Sequence, residues 1–174
     1  MKSWITGSGG FMGVHLANFL ADKGESVLAT DYVPTTDIRG LDRRVEYVEC
    51  DVRDKDKVYQ IMRRFLPDKV FHLAAQSYPT VSWDDPQYTV QTNVLGTVNV
   101  FEAVKKFNLN CRILNAGSSA EYGFVKPEEV PIKEDHSLRP LHPYGVSKVA
   151  QEMLAYQYYE NFGLKSITLR IFNT

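Results

Sequence analysis

Tyr144 and Lys148 stand four residues apart in the run YGVSK, a spacing that puts both side chains on one face of a helix. A free tyrosine titrates near ~10 and is a poor base at neutral pH, and a neighbouring ammonium favours its phenolate. Lowering the phenol by about three units would take roughly 4 kcal/mol, within reach of Lys148 plus a second positive charge close by. On spacing alone, a core tyrosine one turn from a solvated lysine is the commoner arrangement. Upstream, NAGSSAEYG (115–123) follows an apolar run and supplies two hydroxyl donors, Ser118 and Ser119, and a candidate acid or base, Glu121. Ligand sites in open α/β sheets lie beyond the carboxyl ends of strands, which is where this segment would fall. Two serines after a strand are also ordinary turn chemistry.

A second constellation is TGSGGFMG (6–13), with Gly7, Gly10 and Gly13 spaced three apart. A dinucleotide site needs a sharp turn, a backbone that lets a pyrophosphate approach, and a helix packed closely on a strand. Side chains would obstruct each of these. The helix that follows offers unpaired N–H groups and a positive dipole end to phosphates. Alone the pattern is weak, but Asp31 ends the next strand, where a carboxylate can accept hydrogen bonds from ribose hydroxyls. That charge would repel a 2′-phosphate, and Tyr32 and Val33 supply no arginine to offset it, so NAD is expected as the cofactor. Arg39, Arg43 and Arg44 keep NADP as the alternative.

These residues need elements to position them. Apolar runs at 2–6, 26–30, 45–50, 69–75, 111–116 and 166–172 alternate with helical patterns at 11–23, 54–66, about 87–107 and about 144–161. The third helix carries Val90, Val94, Val98, Phe101 and Val104 on one stripe, Pro79 and Pro86 mark a loop before it, and 117–142 reads as irregular. Strands separated by helical crossovers pair in parallel. The expected fold is α/β, a doubly wound Rossmann-like parallel sheet of six strands in order 3-2-1-4-5-6 with helices on both faces.

The chain has 174 residues, enough for one domain, with 44% hydrophobic and 24% charged residues and a formal net charge of −1. That balance does not point to nucleic acid or a membrane surface, no apolar run approaches the ~20 residues that span a bilayer, and glycines interrupt the N-terminal apolar run where a leader would lie. Cys50 and Cys111 lack metal-ligand spacing and read as buried thiols in a reducing, cytoplasmic setting; no metal site is expected. His15, His72, His136 and His142 take structural or surface readings, and YQYYE (156–160) reads as core and subunit interface.

Taken together, TGSGGFMG, Asp31, DVRD (51–54), HLAAQS (72–77), NVLGT (93–97), GSSAEYG, HPYGVSK and LRIFN (169–173) resemble, in order, the extended short-chain dehydrogenase/reductase family of nucleotide-sugar epimerases, dehydratases and reductases. The resemblance implies that Gly7, Gly10 and Gly13 line the pyrophosphate, Phe11 and Met12 bind the cofactor beside them, Asp31 holds the adenosine ribose, Asp51 and Val52 sit at the adenine, and Leu73, Ala74 and Ala75 run along the cofactor. Tyr144 would be the catalytic base or acid, and Lys148 would hold the nicotinamide ribose and depress the Tyr144 pKa. Ser119 would orient the sugar oxygen, with Ser118 as the fallback, and Asn173 would contact substrate. The 4,6-dehydratases need an extra acid and base beside the hydroxyl, and here Ser119-Ala120-Glu121 lacks one polar group. The match therefore leans to a reductase acting on GDP-4-keto-6-deoxymannose, with dehydratase or 4-epimerase as alternatives and a non-catalytic NAD(H)-sensing module as the rival class. It also implies a GDP-linked sugar substrate and a homodimer. Family members continue past Asn173 into a substrate-binding region, so residues 1–174 are expected to be the NAD(P)-binding domain without it.

Overall fold

The computed structural model describes residues 1–32, 37–108 and 110–172; Val33 and Asn173 lie outside the described residues. Six parallel strands, β1 (Lys2–Thr6), β2 (Ser26–Asp31), β3 (Glu46–Glu49), β4 (Lys69–His72), β5 (Arg112–Ser118) and β6 (Lys165–Ile171), form one sheet in the order β3-β2-β1-β4-β5-β6. That is the expected fold and strand order. β1 and β2 are apolar on both faces because each is covered twice: alternate residues enter two separate cores. Trp4 and Leu28 join α2 (Lys55–Phe65), α5 (Gly96–Phe107) and α6 (Pro143–Phe162) on one side, while Ile5, Val27 and Ala29 meet α1 (Phe11–Asp22) on the other.

The second face is covered unevenly. One row of cross-strand neighbours runs Ala29, Ile5, Phe71, Leu114, Ile167. Ala29 and Ile5 are fully buried, Phe71 and Leu114 half-buried, and Ile167 is 66% exposed.

Local chemistry explains the departures from expectation. Between β4 and α5, Pro79 and Pro86 open two short helices, α3 (Pro79–Asp84) and α4 (Pro86–Val90), instead of marking a loop. Each occupies the first helical turn, where its missing N–H costs nothing. The long helix is continuous from Pro86 to Phe107, but its Gln91–Leu95 turn is a π turn. The extra residue rotates the buried face away from the valine stripe. Val90 is exposed and Val94 and Val98 half-buried, while Thr89, Thr92, Asn93 and Thr97 point inward beside Val100 and Phe101. β4 stops at His72, which leaves Leu73, Ala74 and Ala75 beyond the sheet, and β5 runs on to Ser118.

Candidate active site

The glycine loop joins β1 to α1 through backbone-to-backbone contacts. Gly7 has φ +73°, and a Cβ there would lie 2.6 Å from the Ala74 amide nitrogen and 2.8 Å from the Leu73 carbonyl carbon. A Cβ on Gly13 would collide with the Gly7 carbonyl and sit 2.6 Å from the Ser8 Cα. Neither neighbour can yield, because both are main chain. Gly10 caps α1 without a side-chain hydrogen bond, so the first-turn N–H groups carry no side-chain cap, and no acidic residue occupies that turn. Asp31 is buried at the end of β2; one carboxylate oxygen accepts from the Gly9 amide and the other from Tyr32.

Above the loop is a cavity of about 760 Å³, and all the residues expected at a dinucleotide other than Tyr144 and Lys148 line it: Gly7, Gly10, Phe11, Met12, Gly13, Asp31, Asp51, Val52, Leu73, Ala74 and Ala75. Tyr32, Tyr78 and Tyr88 add aromatic wall that the motifs did not indicate. Burial acts to raise the Asp51 carboxyl, but its bidentate hydrogen bonds with Arg53 prevail and hold it below the usual value. The Arg53 guanidinium lies 5.6 Å from the Tyr32 ring centroid and 4.9 Å from that of Tyr88, which fixes both rings at the cavity edge. A cavity lined by an open helix N-terminus, carboxylates and aromatic rings fits a ligand carrying phosphates, a ribose and a flat base. The residues present fit NAD.

The second half of the site comes from β5 and α6. His142 caps α6, its Nδ1 accepting from the Gly145 amide at 2.9 Å, and Pro143 follows at the first helical position. Tyr144 and Lys148 share a face as expected, with the Lys148 Nζ 5.6 Å from the Tyr144 ring centroid. Lys148 is buried and donates to the Ala116 carbonyl at 2.8 Å. The expected lowering of Tyr144 by Lys148 is not what this geometry gives. Burial raises the Tyr144 phenol above its ordinary value, the neighbouring Ser118 side chain lowers it in part, and the Glu121 charge raises it. Burial also pushes the Lys148 amine down to about 8.

Two assignments shift. Of the adjacent serines, it is Ser118, the last residue of β5, whose side chain is near enough to act on the Tyr144 phenol, its hydroxyl accepting from the Ala120 amide at 3.1 Å; Ser119 starts the 3₁₀ turn Ser119–Glu121 one step farther on. Glu121, expected as an acid or base, is fully buried beneath that turn, where one oxygen accepts from the Ser118 amide at 2.7 Å. It faces α6 and β6, with no solvent exposure through which to meet a substrate.

Sequence reasoning gave no role to Asn93, Thr97 and Gln151, which join the two halves together with His72, read as structural. The buried Asn93 side chain accepts from the Gln76 amide at 2.7 Å and donates to the Gln76 carbonyl and, at 2.8 Å, to the Ser147 hydroxyl. It thereby ties the cavity-lining segment after β4 to the helix that carries Tyr144. His72 bridges Thr6 and Thr97 at 2.8 and 2.9 Å, and Gln151 donates to Thr97 at 2.6 Å. Burial pushes the His72 imidazole down to about 3, with Lys148 acting in the same direction, so it stays neutral and structural. The available signal was NVLGT, whose threonine and asparagine fall on a buried helix face.

A family profile described as GDP-mannose 4,6 dehydratase matches residues 4–174. The chain belongs to this family of NAD-dependent nucleotide-sugar epimerases and dehydratases. Similar proteins include the UDP-glucose 4-epimerase of Lacticaseibacillus casei, 32% identical over 97% of this chain and 50% of that protein. The CDP-paratose 2-epimerase of Salmonella typhi is 32% identical over 98% of this chain and 56% of its own length. Among solved structures, the Thermus thermophilus UDP-glucose 4-epimerase in complex with NAD superposes with a TM-score of 0.92 at 34% identity, covering 98% of this chain and 54% of that one. The chain spans about half the length of the curated relatives it matches. No helix among the described residues is long and apolar enough to cross a membrane.

Proposed function

We propose that this chain is the dinucleotide-binding half of a nucleotide-sugar enzyme that interconverts hydroxyl and carbonyl at a sugar carbon. The observation that carries this reading is the Ser118–Tyr144–Lys148 group on β5 and α6, tied by Asn93 to a cavity that fits NAD. NAD supplies the hydride acceptor and donor when bound. Tyr144 exchanges the sugar hydroxyl proton at its phenol oxygen, and Ser118 hydrogen-bonds the same sugar oxygen and holds it in line. One of the three Lys148 N–H donors goes to the Ala116 carbonyl, and the others serve the ribose and the developing phenolate. Asp31 takes the adenosine ribose, which favours NAD over NADP. The sugar and nucleobase are held by a C-terminal region of the kind that makes up the other half of the relatives, and the exposed Leu114–Ile167 side of the sheet is where it would pack. A cytoplasmic setting suits the two buried free thiols. Met153, Tyr156 and Tyr159, exposed on α6, suit a homodimer interface.

Glu121, the carboxyl next to Ser118 in the chain, is buried and does not face outward, which argues against dehydration and for reduction or epimerisation. Reduction of GDP-4-keto-6-deoxymannose was favoured by the GSSAEYG segment; 4-epimerisation of a UDP-hexose is favoured by the similarity to UDP-glucose 4-epimerases. The test offers both sugars to a protein that joins this chain to a C-terminal half. UDP-galactose formation from UDP-glucose without net NADH change supports epimerisation, and stoichiometric NADH consumption with the keto sugar supports reduction. Turnover of neither sugar, with NADH bound, points to the sensing module.

A further inference from the structure

Glu121 lies outside the proton-transfer chemistry just described, yet it is fully buried and directly behind Ser118. Its Oε1 accepts from the Ser118 amide at 2.7 Å, while the Ser118 hydroxyl accepts from the Ala120 amide at 3.1 Å, so the turn is closed from both ends. The other oxygen, Oε2, finds no N–H or O–H donor at hydrogen-bond distance; it faces the Arg170 Nε at 3.8 Å. That guanidinium is itself held by Glu152 of α6 through two hydrogen bonds, at 2.8 and 2.5 Å. Gly117 makes room for the arrangement, since a Cβ there would lie 2.6 Å from Glu121 Oε1 and 2.9 Å from the Leu169 carbonyl oxygen. The chain therefore buries a carboxyl at the cost of desolvation and keeps the adjacent position empty for it, more than a turn cap on the surface would require.

We propose that Glu121 is a positioning residue for the Ser118–Tyr144 pair: its carboxyl, braced from behind by Arg170 and Glu152, fixes the Ser118 amide and so sets the direction in which the Ser118 hydroxyl points beside the Tyr144 phenol. The proposal rests on the reading of Ser118 and Tyr144 given above. The groups that face the carboxyl are Ser118 from β5, Glu152 with Tyr144 and Lys148 from α6, and Arg170 from β6. Burial raises Glu121 to about 7; the Ser118 amide lowers it, Glu152 raises it through a hydrogen bond and its charge, and Arg170 lowers it. Its ionisation is thus observable under native conditions.

The experiment follows the Ser118 amide resonance of the wild-type chain from pH 5 to 9 and the Tyr144 phenol by ¹³Cζ labelling. Glu121→Gln keeps an acceptor and Glu121→Met removes it; both keep the volume and both remove the charge, so their difference isolates the hydrogen bond. The Ser118 amide should titrate with a midpoint near 7 in the wild type and be flat in Glu121→Gln. Glu121→Met should titrate Tyr144 roughly 0.5–1 unit higher than Glu121→Gln, and that difference should vanish in a Ser118→Ala background. A wild-type Ser118 amide that exchanges with solvent as fast as an unbonded turn amide overturns the proposal, and this readout stands even if Glu121→Met does not fold. Equal Tyr144 midpoints in two variants that both melt cooperatively overturn it as well. Failure of the catalytic reading is separate: Tyr144→Phe would keep full turnover while the Ser118 amide titrated normally.

Discussion

The glycine loop and the serine–tyrosine end of this site are held in place by different means. At the loop, main chain meets main chain: Gly7 lies against Leu73 and Ala74, and Gly13 against Gly7 and Ser8, so the absence of side chains sets the shape. At the end of β5, side chains set one another's positions: Glu121 holds the Ser118 amide beside Tyr144, and Arg170 lies between Glu121 and Glu152. The first arrangement tolerates no added atom. The second tolerates conservative exchange but is sensitive to charge and pH. Asn93, reaching from Gln76 to Ser147, couples the two.

The largest effect should come from the loop. Gly13→Val places a branched side chain on the Gly7 carbonyl and should cost at least about 100-fold in NADH affinity, measured by titration calorimetry. Tyr144→Phe should do the reverse, leaving NADH affinity within about threefold while turnover of the complete protein falls by roughly 10²–10⁴. If both variants lost binding equally, the two regions would not be separable. Asp31→Ser should sharpen the loop side, raising the NADPH-to-NADH affinity ratio by about tenfold, since it removes the carboxylate that opposes a 2′-phosphate.

The smallest effect is on stability and belongs to the other end. Glu121 is raised in the folded chain, so its protonated form contributes stability that is fully present below its unfolded value of 4.5 and is lost as pH rises to about 7. The melting temperature of Glu121→Gln relative to wild type should therefore climb between pH 4.5 and 7 and level off above. A difference independent of pH would show that Glu121 does not titrate in this window.

The same contrast explains what the residues revealed in advance. Gly7, Gly10, Gly13 and Asp31 were legible because a dinucleotide loop makes demands on the backbone that few residue types meet, and all of them line the cavity. The sheet order followed from alternating strand and helix patterns. Ser119 was placed ahead of Ser118, because the choice depends on where β5 ends; the strand runs on to Ser118, and one residue of register decides which hydroxyl faces α6. Glu121 looked catalytic because its carboxyl is adjacent to the serines in sequence; its inward direction is fixed by Arg170 and Glu152, distant in the chain. The Tyr144–Lys148 spacing was correct, but its electrostatic consequence was not, since burial dominates both groups. The valine stripe failed for a local reason, a π turn that hydrophobic spacing does not register.

The most direct test of the account is calorimetric titration of NADH and NADPH into the 174-residue chain, with a thermal melt of the same sample. Saturable NADH binding in the micromolar range, with NADPH weaker, is the predicted result and would show that the loop, Asp31 and the cavity act together. A chain that melts cooperatively and gives no heat with either nucleotide would contradict it.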